Sequence, residues 1–111
     1  MENLYKFMFE KDGTCTVRCC PVSFETEDTV FFEELSGRVY RKKSMALERF
    51  GAVQNAGKYK TVYLDKFDPD RARYIMVNYY ADCIQELHRR IEELNVTLFK
   101  TMRANETPEG E

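Results

Sequence analysis

Along the last third of the chain, apolar residues recur at alternating steps of three and four: Val77, Tyr80, Ile84, Leu87, Ile91, Leu94 and Leu98. That spacing is the stripe of an amphipathic helix with a heptad seam. Asp68-Pro69-Asp70 supplies its start. Asp68 can accept from the unpaired N–H groups of the first turn, Pro69 suits the first helical position, and Asp70 complements the dipole. No proline or glycine follows until residue 108, so the pattern predicts one helix over 69–104, ~54 Å long at 1.5 Å per residue. That length exceeds the diameter of any body the preceding 67 residues can build. Part of the stripe should therefore meet a partner outside its own domain.

The helix divides into two stretches. From Tyr74 to Tyr80 only Asn78 is polar, which predicts a segment packed into the core against a sheet. From Ile84 onward the apolar set narrows, flanked by Gln85, Glu86, Arg89, Arg90, Glu92 and Glu93. With Ile84, Ile91 and Leu98 at the first seam position and Leu87 and Leu94 at the second, the order resembles that of parallel two-stranded coils. A helix lying along its own sheet shows the same stripe, so core and interface readings both stand on pattern alone. Length favours the interface, because each seam side chain fully removed from water contributes ~1.5–3 kcal/mol. The residues expected to bind a partner are Tyr80, Ile84, Leu87, Ile91, Leu94 and Leu98.

The front of the chain alternates with period two. Tyr5, Phe7 and Phe9 share one face and Leu4 and Met8 the other, and Asp12-Gly13 is a strong two-residue hairpin signal. A second strand over 14–20 follows. With Lys11 opposite Thr14, Phe9 would face Thr16, Phe7 Arg18 and Tyr5 Cys20. Both faces are then partly apolar, so one takes the helix and the other needs a further cover. Pro21 should end that strand. After the acidic turn 25–28, Thr29–Glu33 and Arg38–Lys42 read as a hairpin about Ser36-Gly37. Ser44 would cap a short helical turn ending at Gly51, residues 54–57 read as loop, and Tyr59–Leu64 as a last strand. The expected fold is α+β: an antiparallel sheet of four to five strands packed on a long C-terminal helix. It forms a single domain over 1–104, with a β-rich front over 1–67 and a disordered polar tail over 105–111.

Composition narrows the function classes. At 111 residues, 43% hydrophobic and 14% aromatic, the chain can build a core. A net charge of -2, with nine acids against six bases over 68–111, advertises no broad field for nucleic acid or anionic lipid. No apolar run reaches membrane-spanning length and the N-terminus lacks the marks of a secretory signal, so a cytoplasmic location is expected. The cysteines Cys15, Cys19, Cys20 and Cys83 then read as reduced thiols packed as small hydrophobes. Their spacing is not that of a zinc knuckle and the one histidine, His88, lies on the helix. No metal or cofactor is expected.

Phosphate-loop, nucleophile-elbow and His-Glu-x-x-His patterns are absent, the pairs Glu33-Glu34 and Glu92-Glu93 point apart, and Cys83 and His88 do not share a helical edge. The expectation is a non-enzymatic protein. A local basic cluster, Arg38, Arg41, Lys42, Lys43 and Arg49 with Tyr40 and Phe50, is a candidate contact for an anionic partner, or a guard on a strand edge.

In organisation, a compact β front such as Leu4 to Arg18 joined through Phe67-Asp68-Pro69-Asp70 to one long acidic–basic helix, the chain resembles small accessory proteins of phages and mobile elements of Firmicutes. That group includes anti-CRISPR-type inhibitors of host defence nucleases, and the resemblance implies a module that occludes a surface. The expected partner is thus a protein. A nucleic-acid-binding regulator using the 38–49 patch and a homodimeric coiled-coil assembly protein are the alternatives.

Overall fold

The computed structural model describes residues 1–34, 37–41 and 48–104. Six strands and one helix follow in order: β1 (Asn3–Phe9), β2 (Cys15–Glu25), β3 (Thr29–Phe32), β4 (Gly37–Tyr40), β5 (Val53–Ala56), β6 (Tyr59–Leu64) and α1 (Pro69–Arg103). The strands form one antiparallel sheet in the order β4-β3-β2-β1-β6-β5. The chain resolves into two units, Met1–Tyr79 and Tyr80–Glu111. The α+β class holds, with six strands where the pattern predicts four to five.

The extra strand is β5, which the sequence reads as loop. Gln54-Asn55-Ala56 lacks β-branched residues, yet Ala56 pairs with Tyr59 across a two-residue turn whose Gly57 has φ +62°. A strand with one neighbour needs less propensity of its own than a central one.

The first hairpin differs from expectation by one residue. Phe9 faces Cys15, Phe7 Val17, Tyr5 Cys19 and Leu4 Cys20. The loop holds three residues. Glu10 N–H donates to Thr14 O at 2.9 Å, Gly13 N–H to Glu10 O at 3.0 Å, and Gly13 sits at φ +88°, the arrangement of a type I turn closed by a glycine bulge. Asp12 Oδ1 accepts from Thr14 N–H at 2.9 Å, and that bond holds its carboxyl below the usual carboxylate range. A slip of one position exchanges faces. It moves Cys20 to the side of Leu4 and Cys19 to the side of Phe7.

Pro21 does not end β2. Residues Cys15–Pro21 pair with β1 and Val22–Glu25 with β3, with a bulge between Val22 and Phe24. Pro21 O accepts from Glu33 N–H at 3.1 Å. Its missing donor thus falls on the same side, at the end of the β3 ladder, where no rung is lost.

Curling of the sheet answers what covers its second face. Tyr40 N–H donates to Glu48 O at 2.8 Å, Phe50 N–H to Tyr40 O at 3.1 Å, and Gly51 N–H to Tyr63 O at 3.0 Å. Residues 48–51 therefore tie β4 to β6, with three strands between them in sheet order. Inside the curl Leu4, Cys20, Val30, Phe32, Val39 and Tyr63 form one buried cluster. Gly37 has to lack a side chain because the Phe32 ring lies over it. Ser44–Leu47, where a helical turn is expected, lies outside the described residues, and Arg49 forms a parallel bridge to Tyr40 rather than a helix.

The opposite face takes the start of α1. Phe7, Phe9, Val62 and Leu64 bury against Ala72 and Met76, with Ile75 and Tyr79 packed alongside. The predicted cap is present: Asp68 Oδ1 accepts from Arg71 N–H at 3.0 Å. Only one side of the greasy 74–80 stretch is used, however. Tyr74 and Val77 remain 66% and 65% exposed, since a helix on a sheet hides one face of its circumference.

Candidate functional site

The second unit, described from Tyr80 to Ala104, is helical through Arg103. A period of 3.5 carries Tyr80, Ile84, Leu87, Ile91, Leu94 and Leu98 down one side, and every one is between 41% and 67% exposed. The stripe widens after Leu94. Val96, Phe99 and Met102 are also more than half exposed, a widening that the strict three-and-four count passes over because they fall beside the seam.

Away from the stripe, Glu86, Arg89 and Glu93 form a local ion-pair group. Arg89 pairs with Glu86 one turn back and with Glu93 at 2.5 Å one turn on. The hydrogen bond from Arg89 pulls the Glu86 carboxyl down, and Glu86 in turn pushes the Arg89 guanidinium up. Thr97 Oγ1 donates to Glu93 O at 3.0 Å and Thr101 Oγ1 to Thr97 O at 2.8 Å. The hydroxyl that ends the apolar seam at Thr101 is thereby accommodated within the helix.

A stripe about half covered by its own helix still gains roughly 1 kcal/mol per residue on docking, half the transfer value of a large apolar side chain. Six such residues facing six equivalents sum to about 12 kcal/mol gross. That is comparable with the ~4–15 kcal/mol cost of associating two bodies, so a matching apolar partner along the full seam is required for stable docking.

Among the described residues of the basic cluster, Arg38 and Arg41 take different partners. Arg38 lies over the Tyr40 ring at 5.8 Å, and strand alternation turns both to the outer face. Arg41 pairs instead with Glu25, which also receives the N-terminal ammonium at 2.8 Å. The hydrogen bond from that ammonium is the main reason the Glu25 carboxyl is held low. Arg49 is exposed at its bridge to Tyr40. Lys42 and Lys43 lie outside the described residues. On the same outer face as Arg38, Phe24 is 62% exposed and stacks on Phe31 at 5.8 Å, an aromatic pair the sequence reading passes over.

Inside the curl, Lys6 Nζ lies 3.2 and 3.3 Å from the two Glu34 oxygens, and Arg18 joins the same carboxylate. Burial, then Glu34, push the Tyr63 phenol up to about 12. The same two causes raise the Cys20 thiol, 3.8 Å from Glu34 Oε2, and burial raises Cys15. Raised thiols are poor nucleophiles at neutral pH. The sheet also separates Cys20 from Cys15 and Cys19, and among the described residues no group of three or more His, Cys, Asp or Glu is placed to hold a metal ion. An open cleft of about 530 Å³ beside Met1, Asp28, Arg41, Asp65 and Arg71 mixes both signs of charge.

No protein family, no curated protein and no solved structure matches the chain. Among the described residues no helix is long and apolar enough to cross a membrane.

Proposed function

We propose that this chain is a non-enzymatic protein-binding module that docks through the stripe Tyr80–Leu98. One observation carries the reading: six large apolar side chains at heptad spacing along one helix, each 41% or more exposed. Docking through such a face hides a partner's surface without any chemistry. It is in keeping with the inhibitory role implied by the resemblance to accessory proteins of phages and mobile elements. The nucleic-acid reading draws less support, because Arg41 is neutralised by Glu25 and turns away from Arg38.

The test is capture on the immobilised 111-residue chain beside a Leu87→Glu/Leu94→Glu form whose helix content is unchanged by circular dichroism. A partner held by the first and lost by the second supports the reading. Equal capture by both removes the stripe from the binding function.

A further inference from the structure

Resting on the stripe as a docking face, we infer that its occupant is a second copy of this chain, aligned in parallel. The seam places β-branched Ile84 and Ile91 at one core position and Leu87 and Leu94 at the other, the order that favours two parallel strands. Flanking charges argue the same way. An antiparallel pair of full overlap sets Ile84 against Leu94 and Leu87 against Ile91. It would bring Arg90 against Arg90 of the second copy, a like-charge contact at the seam's edge.

A parallel pair sets Arg90 beside Asn95 and Cys83 beside His88 of the second copy, with no like charges meeting. Among the flanking positions Ala81, Cys83, His88, Arg90, Asn95 and Thr97, Arg90 is the one Lys, Arg, Asp or Glu. No charge code is present to select a foreign helix. A self-matching seam is what remains, and the gross burial available from two such stripes is of the size a two-body association requires.

Disulfide trapping tests partner and direction together. In a Cys19→Ser/Cys83→Ser background, Leu94→Cys stands at a core position that meets itself only in a parallel pair. Under mild oxidation it should cross-link into a two-chain species at least tenfold faster than Glu92→Cys on the outer face. No cross-linking by Leu94→Cys alone, with cross-linking in an equal mixture of Ile84→Cys and Leu94→Cys chains, overturns the parallel arrangement. Cross-linking in neither, with a one-chain mass by sedimentation at about 100 μM, overturns the second copy as occupant. If the Leu87→Glu/Leu94→Glu form then still loses a captured protein, the docking reading stands without self-association. If capture is also unchanged, both fall.

Discussion

Replacing Gly37 by alanine tests how the inner face of the sheet is closed. Gly37 stands opposite Phe32 in the β3–β4 ladder, and a methyl built there would meet the Phe32 ring with Cε1 at 2.9 Å and Cζ and Cε2 nearer still. The ring cannot swing outward freely. It is 4% exposed, and Tyr63 lies 5.4 Å away between ring centres. The backbone of Gly37 needs no glycine-only conformation, so the penalty is one of volume. Forcing a methyl into a filled core costs about 1–3 kcal/mol, a fall in Tm of roughly 4–12 °C for a domain of this size. Near-ultraviolet circular dichroism, undisturbed by tryptophan, which the chain lacks, sums over its seven tyrosines, and the change on substitution reports the packing of Tyr63 on Phe32. In a Phe32→Leu background the smaller side chain makes room, and adding Gly37→Ala should cost at least 1 kcal/mol less than it does alone. A Gly37→Ala chain within about 0.5 kcal/mol of wild type, or strict additivity with Phe32→Leu, would refute the closed curl.

Further outcomes follow from single contacts. Asp68→Ala deprives Arg71 N–H of its cap and should lower stability by about 1 kcal/mol in urea denaturation. Gly13→Ala has open space around it but demands φ +88° of an L side chain; it should cost about 1 kcal/mol, with Asn at that position milder. Tyr63 is 8% exposed and its phenol is held up to about 12. The unfolded chain therefore loses that proton first, near pH ~10. Stability is complete below that pH and declines as pH rises through about 12; spectrophotometric titration should show a late tyrosine that Glu34→Gln brings to lower pH. Asp12 is held low by Thr14, so its share of stability is present above pH ~4 and fades on acidification below it, and Asp12→Asn should flatten that limb.

Where local chemistry decides structure, the sequence is readable. Asp68-Pro69-Asp70 specifies the helix start because cap, φ and dipole are all properties of those three residues. The seam from Tyr80 to Leu98 is legible for the same reason: its period belongs to one helix. What the sequence hides is set by tertiary contact. Asp12-Gly13 signals a tight turn equally well with two residues or three, and only the bulge at Gly13 sets which faces Cys19 and Cys20 take. Pro21 reads as a strand end until the ladder on its N–H side is seen to stop there. Gln54-Asn55-Ala56 becomes a strand because Tyr59–Leu64 offers it a free edge. Arg38 and Arg41 part because alternation sends Arg38 outward while Arg41 turns to Glu25, a partner sixteen residues away.

The stripe as a docking face is tested most directly by sedimentation equilibrium on the full chain and its Ile91→Lys form. Two Ile91 side chains meet at the centre of the proposed pair, and exchanging both for lysine should weaken association at least 100-fold, about 2.7 kcal/mol. Wild type is expected at twice the 13.2 kDa of one chain. Ile91→Lys should run at one chain, with its helix signal and the melting of the Met1–Tyr79 unit retained. A wild-type chain of 13.2 kDa whose Ile91→Lys form loses cooperative unfolding would place the stripe in the interior of a single subunit and contradict the account.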